Sequence, residues 1–131
     1  QLGAHKGIDR LIEAFRLIAP IYPQARLTII GRISEWSGDE WERALRNQTI
    51  ADPVLANRVT FIGETEDIFV YLASAAVLIV PSVWEEPLSN VVCEAKAAAL
   101  PHACGQDRRT CRSATRVPLR WRRNRRRHGG E

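Results

Sequence analysis

Two glutamates, Glu86 and Glu94, lie eight positions apart on either side of a predicted change from loop to helix. The helix is predicted to begin after Ser89, whose hydroxyl group can cap it, and to run to about Leu100. The first turn of a helix offers free backbone N–H groups and the positive end of a dipole, and both favour a phosphate group. A carboxylate about one turn inside the helix, as Glu94 would be, could accept both hydroxyl groups of a ribose.

This pattern has two interpretations that the residues alone do not separate. In the first, the helix start binds a diphosphate, Glu94 holds the ribose of the same ligand, and Glu86 meets a sugar beyond the diphosphate. The predicted diphosphate seat is the backbone of Leu88, Ser89, Asn90 and Val91. In the second interpretation the segment is an ordinary capped helix with two solvated glutamates.

Helices and strands alternate along residues 1–100. The predicted helices are residues 7–20, 40–48, 66–74 and 89–100, and the predicted strands are residues 27–30, 59–62 and 76–80. The strands are continuous apolar runs, which indicates an α/β fold with a Rossmann-like parallel sheet and helices on both faces. Because ligands of such folds bind beyond the carboxyl ends of the strands, the loops after Ile30, Ile62 and Val80 are the candidate binding loops.

Charge divides the chain into two parts. Residues 1–100 contain nine basic and 13 acidic residues, whereas residues 101–131 contain ten arginines and two acidic residues. The second part has neither helical nor strand periodicity. We therefore predict one α/β domain over residues 1–100 and a disordered, Arg-rich tail over residues 101–131.

Neither a secreted disulfide scaffold nor a metal site is predicted. The three cysteines are odd in number, which favours a reducing, cytoplasmic location. His102, Cys104 and Cys111 lack a C-x-x-C pair and a clear fourth ligand, so we expect no zinc. No apolar run approaches the roughly 18 residues of a membrane span, and the first ten residues lack a signal-peptide pattern.

Three segments of the chain resemble the glycosyl transferases group 1 family. Residues 81–95 read P-S-V-W-E-E-P-L-S-N-V-V-C-E-A and look like the E-x7-E signature of that family. Residues 2–15, L-G-A-H-K-G-I-D-R-L-I-E-A-F, resemble its R-L-x-x-x-K-G-x-x-x-L-I-x-A-F segment, and residues 59–63, V-T-F-I-G, resemble its V-x-F-x-G. The segments follow the order and spacing of the family, and the resemblance covers about residues 1–101.

The resemblance implies the nucleotide-sugar-binding domain, in the C-terminal half, of a retaining GT-B-fold glycosyltransferase of the hexosyltransferase type. Such a domain binds a nucleotide-diphospho-sugar and needs no metal or other cofactor. The resemblance implies that Lys6 neutralises the leaving diphosphate, that Glu94 holds the ribose and that Glu86 contacts the transferred sugar as the catalytic candidate. Gly31 and Gly63 would lie near the nucleotide.

The chain also departs from the family pattern. A central strand ahead of Gln1 and the N-terminal acceptor domain are expected to be missing, so the chain alone should bind donor weakly and transfer no sugar. Ala99 stands where the family has a glycine, at a left-handed helix cap that disfavours a Cβ atom. The pattern is lost at Pro101, and we hypothesise a frameshift there, which translation of the other two reading frames would test.

The tail supports a rival interpretation of the whole chain. Arg-rich disordered segments bind phosphate backbones without sequence preference, and Trp121 could stack on a base. The alternative is therefore a non-catalytic α/β domain with a nucleic-acid-binding tail. The sequence does not identify the base or sugar of the donor, or the acceptor.

Overall fold

The structure, a computed structural model, describes residues 4–32, 38–83 and 90–105 of the chain. The helices are α1 (Ile8–Ile18), α2 (Gly38–Ala51), α3 (Ile68–Ser74) and α4 (Asn90–Ala97), and a 3-10 helix, Ala4–Lys6, precedes α1. The strands are β1 (Leu27–Ile30), β2 (Val59–Ile62), β3 (Leu78–Val80) and β4 (His102–Cys104). Helices and strands therefore alternate as the sequence predicts.

The strands pair in parallel. Strand β1 pairs with β2, with Leu27 opposite Val59, and β3 pairs with β4, with Leu78 opposite His102. Within the described residues these pairs are two separate two-stranded sheets. The prediction of an α/β fold with parallel strands flanked by helices is confirmed.

Each strand pair has its own hydrophobic core. Helix α1 covers the first pair because its apolar residues recur every three or four positions, and this spacing buries Phe15 against Ile29 of β1. The second core contains Leu72 of α3, Ala95 of α4 and Leu100. Burial of Ala95 fixes which face of α4 is turned away from solvent.

Strand β4 corrects one prediction. Regular structure was expected to end at residue 100, but His102–Cys104 pairs with β3, and the Gly105 N–H group continues the pairing by donating to the Val80 carbonyl (2.8 Å). A strand of three residues is too short to show period-two alternation, which explains why the sequence does not reveal it. The Arg-rich segment beyond residue 105 lies outside the described residues.

Two of the three residues considered for zinc, His102 and Cys104, are described, and Cys111 lies outside the described residues. Cys104 is disulfide-bonded, so its sulfur cannot act as a thiolate ligand. Cys93 of α4 is free and exposed. In the part of the chain that the structure describes, no three His, Cys, Asp or Glu side chains are grouped to hold a metal, and no helix could cross a bilayer.

Helix α4 ends in a Schellman motif. The Leu100 N–H group donates to the Ala95 carbonyl (2.8 Å), and the Ala99 N–H group donates to the Lys96 carbonyl (3.0 Å). Ala99 has a φ of 52°, the left-handed conformation that the motif requires at this position. The predicted left-handed cap at Ala99 is therefore confirmed, and it places a Cβ atom where glycine is preferred.

Replacement of Ala99 by glycine is expected to raise the free energy of unfolding by about 1 kcal/mol, because it removes the steric cost of a left-handed alanine. The matched control is Ala97→Gly, inside α4, which should lower that free energy by about 0.5–1 kcal/mol. Urea denaturation followed by circular dichroism measures both changes. A loss of stability in Ala99→Gly would contradict the prediction.

Candidate functional site

Helix α4 carries three of the predicted site residues, Asn90, Val91 and Glu94. It begins at Asn90, and its buried residues, Val92 and Ala95, face the core. Val91 and Glu94, three positions apart, share the adjacent half-buried stripe, so the Glu94 carboxylate lies one turn beyond the helix start on the same face. Among the described residues, no hydrogen bond or ion pair involves that carboxylate.

The predicted lysine segment lies against residues 81–83, which we call the β3 loop. The Val83 N–H group donates to the His5 carbonyl (3.1 Å). A Cβ atom placed on Gly7 would lie 2.3 Å from the Pro81 carbonyl oxygen, so the two backbones are in direct contact. The structure thus brings Lys6 and its neighbours to the loop that leads towards α4.

Lys6 lies in the 3-10 helix and is half-buried. Burial lowers the pKa of its ammonium group below the ordinary value of 10.5, because desolvation disfavours the charged form. An ammonium group that is partly removed from water also interacts more strongly with a nearby anion. This environment suits a group that must neutralise a phosphate.

The two predicted glycine turns meet at the carboxyl ends of β1 and β2. The Gly31 N–H group lies 3.2 Å from the Ile62 carbonyl oxygen and 3.3 Å from the Gly63 carbonyl oxygen. Beside them, the side chains of Arg32 and Glu64 form an exposed ion pair at 4.0 Å. The structure therefore brings Lys6 to the β3 loop and Gly31 to Gly63, and none of the contacts between described residues joins either group to Glu94 of α4.

Three of the predicted site residues lie outside the described residues: Glu86, Leu88 and Ser89. The candidate catalytic glutamate and the whole predicted diphosphate seat stay predictions. Asn90, Val91 and Glu94 are on the described helix.

Sequence reasoning missed the residues that hold the β3 loop in place. A Cβ atom on Gly105 would lie 2.5 Å from the Ser82 carbonyl oxygen, and Ser82 itself is only 6% exposed. Gly7 could have been found from its position beside Lys6. Gly105 could not have been found in this way, because it lies in the part of the sequence that was predicted to be a disordered tail.

A shallow groove between α1 and α2 is a poorer candidate for a diphosphate. Its rim includes the carboxylates of Asp9, Glu13 and Asp52, and one cation, Arg16. The guanidinium group of Arg16 already binds Asp52, with 2.6 Å between Nε and Oδ2. This excess of negative charge would repel a phosphate group.

A family model described as glycosyl transferases group 1 matches residues 1–108. An uncharacterized glycosyltransferase of Haemophilus influenzae is 36% identical over 100 residues, which are 76% of this chain and 26% of that protein.

Two crystal structures of Anabaena Alr3699/HepE, one in complex with UDP-glucose and one with UDP, resemble the fold. Each has a TM-score of 0.70 and 27% identity, over 82% of this chain and 28% of the other. The chain therefore spans about a quarter of the length of these relatives.

Proposed function

Because this chain belongs to the glycosyl transferases group 1 family, we propose that it forms part of the donor-binding half of a retaining hexosyltransferase. The observation that carries the proposal is the contact of the Lys6 segment with the β3 loop, through the Val83–His5 hydrogen bond. This contact joins two of the three segments that resemble the family. We infer a uridine diphosphate sugar as the donor class, since the matched HepE structures are complexes with UDP-glucose and UDP.

In the proposed reaction, the bond between the anomeric carbon and the diphosphate oxygen breaks, and negative charge develops on the departing diphosphate. An acceptor hydroxyl group forms the new bond to the anomeric carbon on the same face and gives its proton to the diphosphate or to a general base. The Lys6 ammonium group and the N–H groups at the start of α4 would stabilise that charge. Glu94 would fix the ribose, and Glu86 would contact the sugar. A group that binds the diphosphate more tightly as its charge grows lowers the barrier.

The acceptor site and any general base are proposed to lie in other parts of a full-length transferase, because the chain spans about a quarter of its relatives. The chain alone would then bind donor weakly and transfer no sugar. We also propose a cytoplasmic location, because nucleotide sugars are available there as donors.

We also propose that the Arg-rich tail is a frameshifted sequence, and we place the junction after Gly105. Strand β4 pairs with β3, and Gly105 fits closely against Ser82, so residues 102–105 are part of the fold. The arginine bias is concentrated from Arg108 onwards. The loss of family pattern therefore follows β4 instead of preceding it.

Glu94→Ala is expected to weaken the binding of UDP-glucose at least tenfold, because two hydrogen bonds from the ribose to a charged acceptor would be lost. Isothermal titration calorimetry of the 131-residue chain measures the change. The control is Glu40→Ala, an exposed glutamate on α2, which should leave the affinity unaltered. Equal affinities of wild type and Glu94→Ala would reject the ribose contact, and no binding by the wild type would reject donor binding by this chain.

Affinity for UDP-glucose is expected to fall as the pH rises, beginning below the ordinary lysine pKa of 10.5, since deprotonation of Lys6 removes the cation. A Lys6→Arg variant stays charged and should keep its affinity over the same range. Calorimetric titrations of both proteins from pH 7.5 up to the ordinary lysine pKa of 10.5 give the comparison, and any titration of the ligand is common to both. A parallel decline in the two proteins would speak against a role for Lys6.

A further inference from the structure

The β3 loop is enclosed by two glycines from opposite ends of the described chain. A Cβ atom on Gly7 would lie 2.3 Å from the Pro81 carbonyl oxygen. A Cβ atom on Gly105 would lie 2.5 Å from the Ser82 carbonyl oxygen and 3.1 Å from the Pro81 carbonyl carbon. Real Cβ atoms essentially never approach backbone atoms within 3.0 Å, so a side chain at either position would displace the loop.

The two glycines are needed for different reasons. Gly7 has a φ of 66°, so both its conformation and its contact favour glycine. Gly105 is not among the described residues with a positive φ, so its requirement is space alone. Its N–H group is fixed by the Val80 carbonyl at 2.8 Å, which holds the backbone of β4 against the loop.

Movement of the loop at this point would reach the proposed donor site through the Lys6 segment. Val83 is bonded to the His5 carbonyl, next to Lys6. To bring a Cβ atom at Gly105 out to 3.0 Å, the Ser82 carbonyl would have to move by about 0.5 Å or more.

We propose that Gly105 is a positioning residue of the donor site: the absence of a side chain lets β4 close on the β3 loop, and the loop in turn sets the placement of the Lys6 segment. The inference rests on the proposed function for the identity of the ligand, but the loop contact itself does not. Gly105 would then have a role in the donor site, although the sequence alone places it in the predicted tail. The attraction between an ammonium group and a phosphate depends on their separation, so displacement of Lys6 should weaken diphosphate binding.

The test compares Gly105→Ala with Ala103→Val, which adds bulk to an exposed position of the same strand. Amide hydrogen exchange is followed by NMR at Val83, which is bonded to His5, and at Leu78, which is bonded to Pro101 at the other end of the β3–β4 pair. We expect Gly105→Ala to speed exchange at Val83 at least tenfold and at Leu78 less than threefold. Ala103→Val should change neither.

Affinity for UDP is measured on the same proteins and should fall at least fivefold in Gly105→Ala alone. Equal acceleration at both amides would overturn the proposal, since it would show a general loosening of the strand pair. Unaltered exchange at Val83 would overturn it as well. If Gly105→Ala does not fold, the change is made in the more stable Ala99→Gly background. If the wild-type chain does not bind UDP, the proposed function fails, and the exchange comparison still decides whether Gly105 positions the loop.

Discussion

Replacement of Arg58 by alanine is expected to lower the free energy of unfolding by about 3 kcal/mol, because its guanidinium group binds three backbone carbonyls. Nη1 lies 2.6 Å from the Ala19 carbonyl oxygen, and Nη2 donates to the carbonyls of Tyr22 and Ala25. These acceptors follow the end of α1, and they would lose a charged donor in a partly buried setting. Chemical denaturation in urea measures the loss.

Arg26 provides the matched control, because it is an arginine of the same connection that also donates to backbone carbonyls. Its Nη1 lies 3.2 Å from the Pro23 oxygen and 3.0 Å from the Ala25 oxygen, and both bonds are exposed. Arg26→Ala should therefore cost no more than about 0.5 kcal/mol. Arg58→Lys should fall in between, since an ammonium group keeps the charge but lacks the planar fork. If Arg26→Ala and Arg58→Ala lowered the free energy of unfolding by similar amounts, the stabilising role of the Arg58 hydrogen bonds would be contradicted.

The importance of Arg58 extends to the candidate site. By holding the connection between α1 and β1, it fixes one end of α1, while Gly7 and the β3 loop fix the other. The guanidinium carbon also lies 6.0 Å from the centre of the Phe15 ring, in the first core. Helix α1, which begins two residues after Lys6, is thus held by contacts at both of its ends.

The strands that the sequence predicts most accurately are β1 and β2. Each is a short run rich in β-branched residues and is followed by a glycine, Gly31 or Gly63. The composition therefore predicts the strand, and the glycine predicts where it ends. Strand β3 is shorter than predicted because Ala76 and Val77 are apolar but lie outside the pairing with β4. Local composition indicates a strand, but only pairing determines its length.

The parts that the sequence does not predict depend on contacts between distant residues. The 3-10 helix and Gly7 meet the β3 loop across more than 70 positions, and no local pattern shows that approach. The need for glycine at position 105 is even harder to predict from the sequence. It arises from the lack of space beside Ser82 and not from a special backbone conformation. In contrast, the left-handed cap at Ala99 is local to α4, and the resemblance to a family glycine was enough to predict it.

Gly7→Ala is expected to lower the free energy of unfolding by about 3 kcal/mol or more. An alanine at a φ of 66° costs about 1 kcal/mol or more, and overlap of its Cβ atom with the Pro81 oxygen at 2.3 Å adds the cost of moving packed backbone. The stability control is Gly63→Ala, because a Cβ atom on Gly63 would have nothing within 4 Å. That variant should change stability by no more than about 0.5 kcal/mol in the same urea titration.

Gly7→Asn separates the two causes of the loss. Asparagine tolerates the left-handed conformation better than alanine, but it carries the same Cβ atom towards the Pro81 oxygen. If the close contact dominates, Gly7→Asn should be at least as unstable as Gly7→Ala, and exchange at the Val83 amide should accelerate in both. Recovery of most of the stability by asparagine would show that backbone strain dominates, and the loop could then tolerate a side chain at this position. In that case the results at Gly7 would give no support to a steric role for Gly105. Because Gly105 has no positive φ, the Gly105→Ala variant alone would test that role.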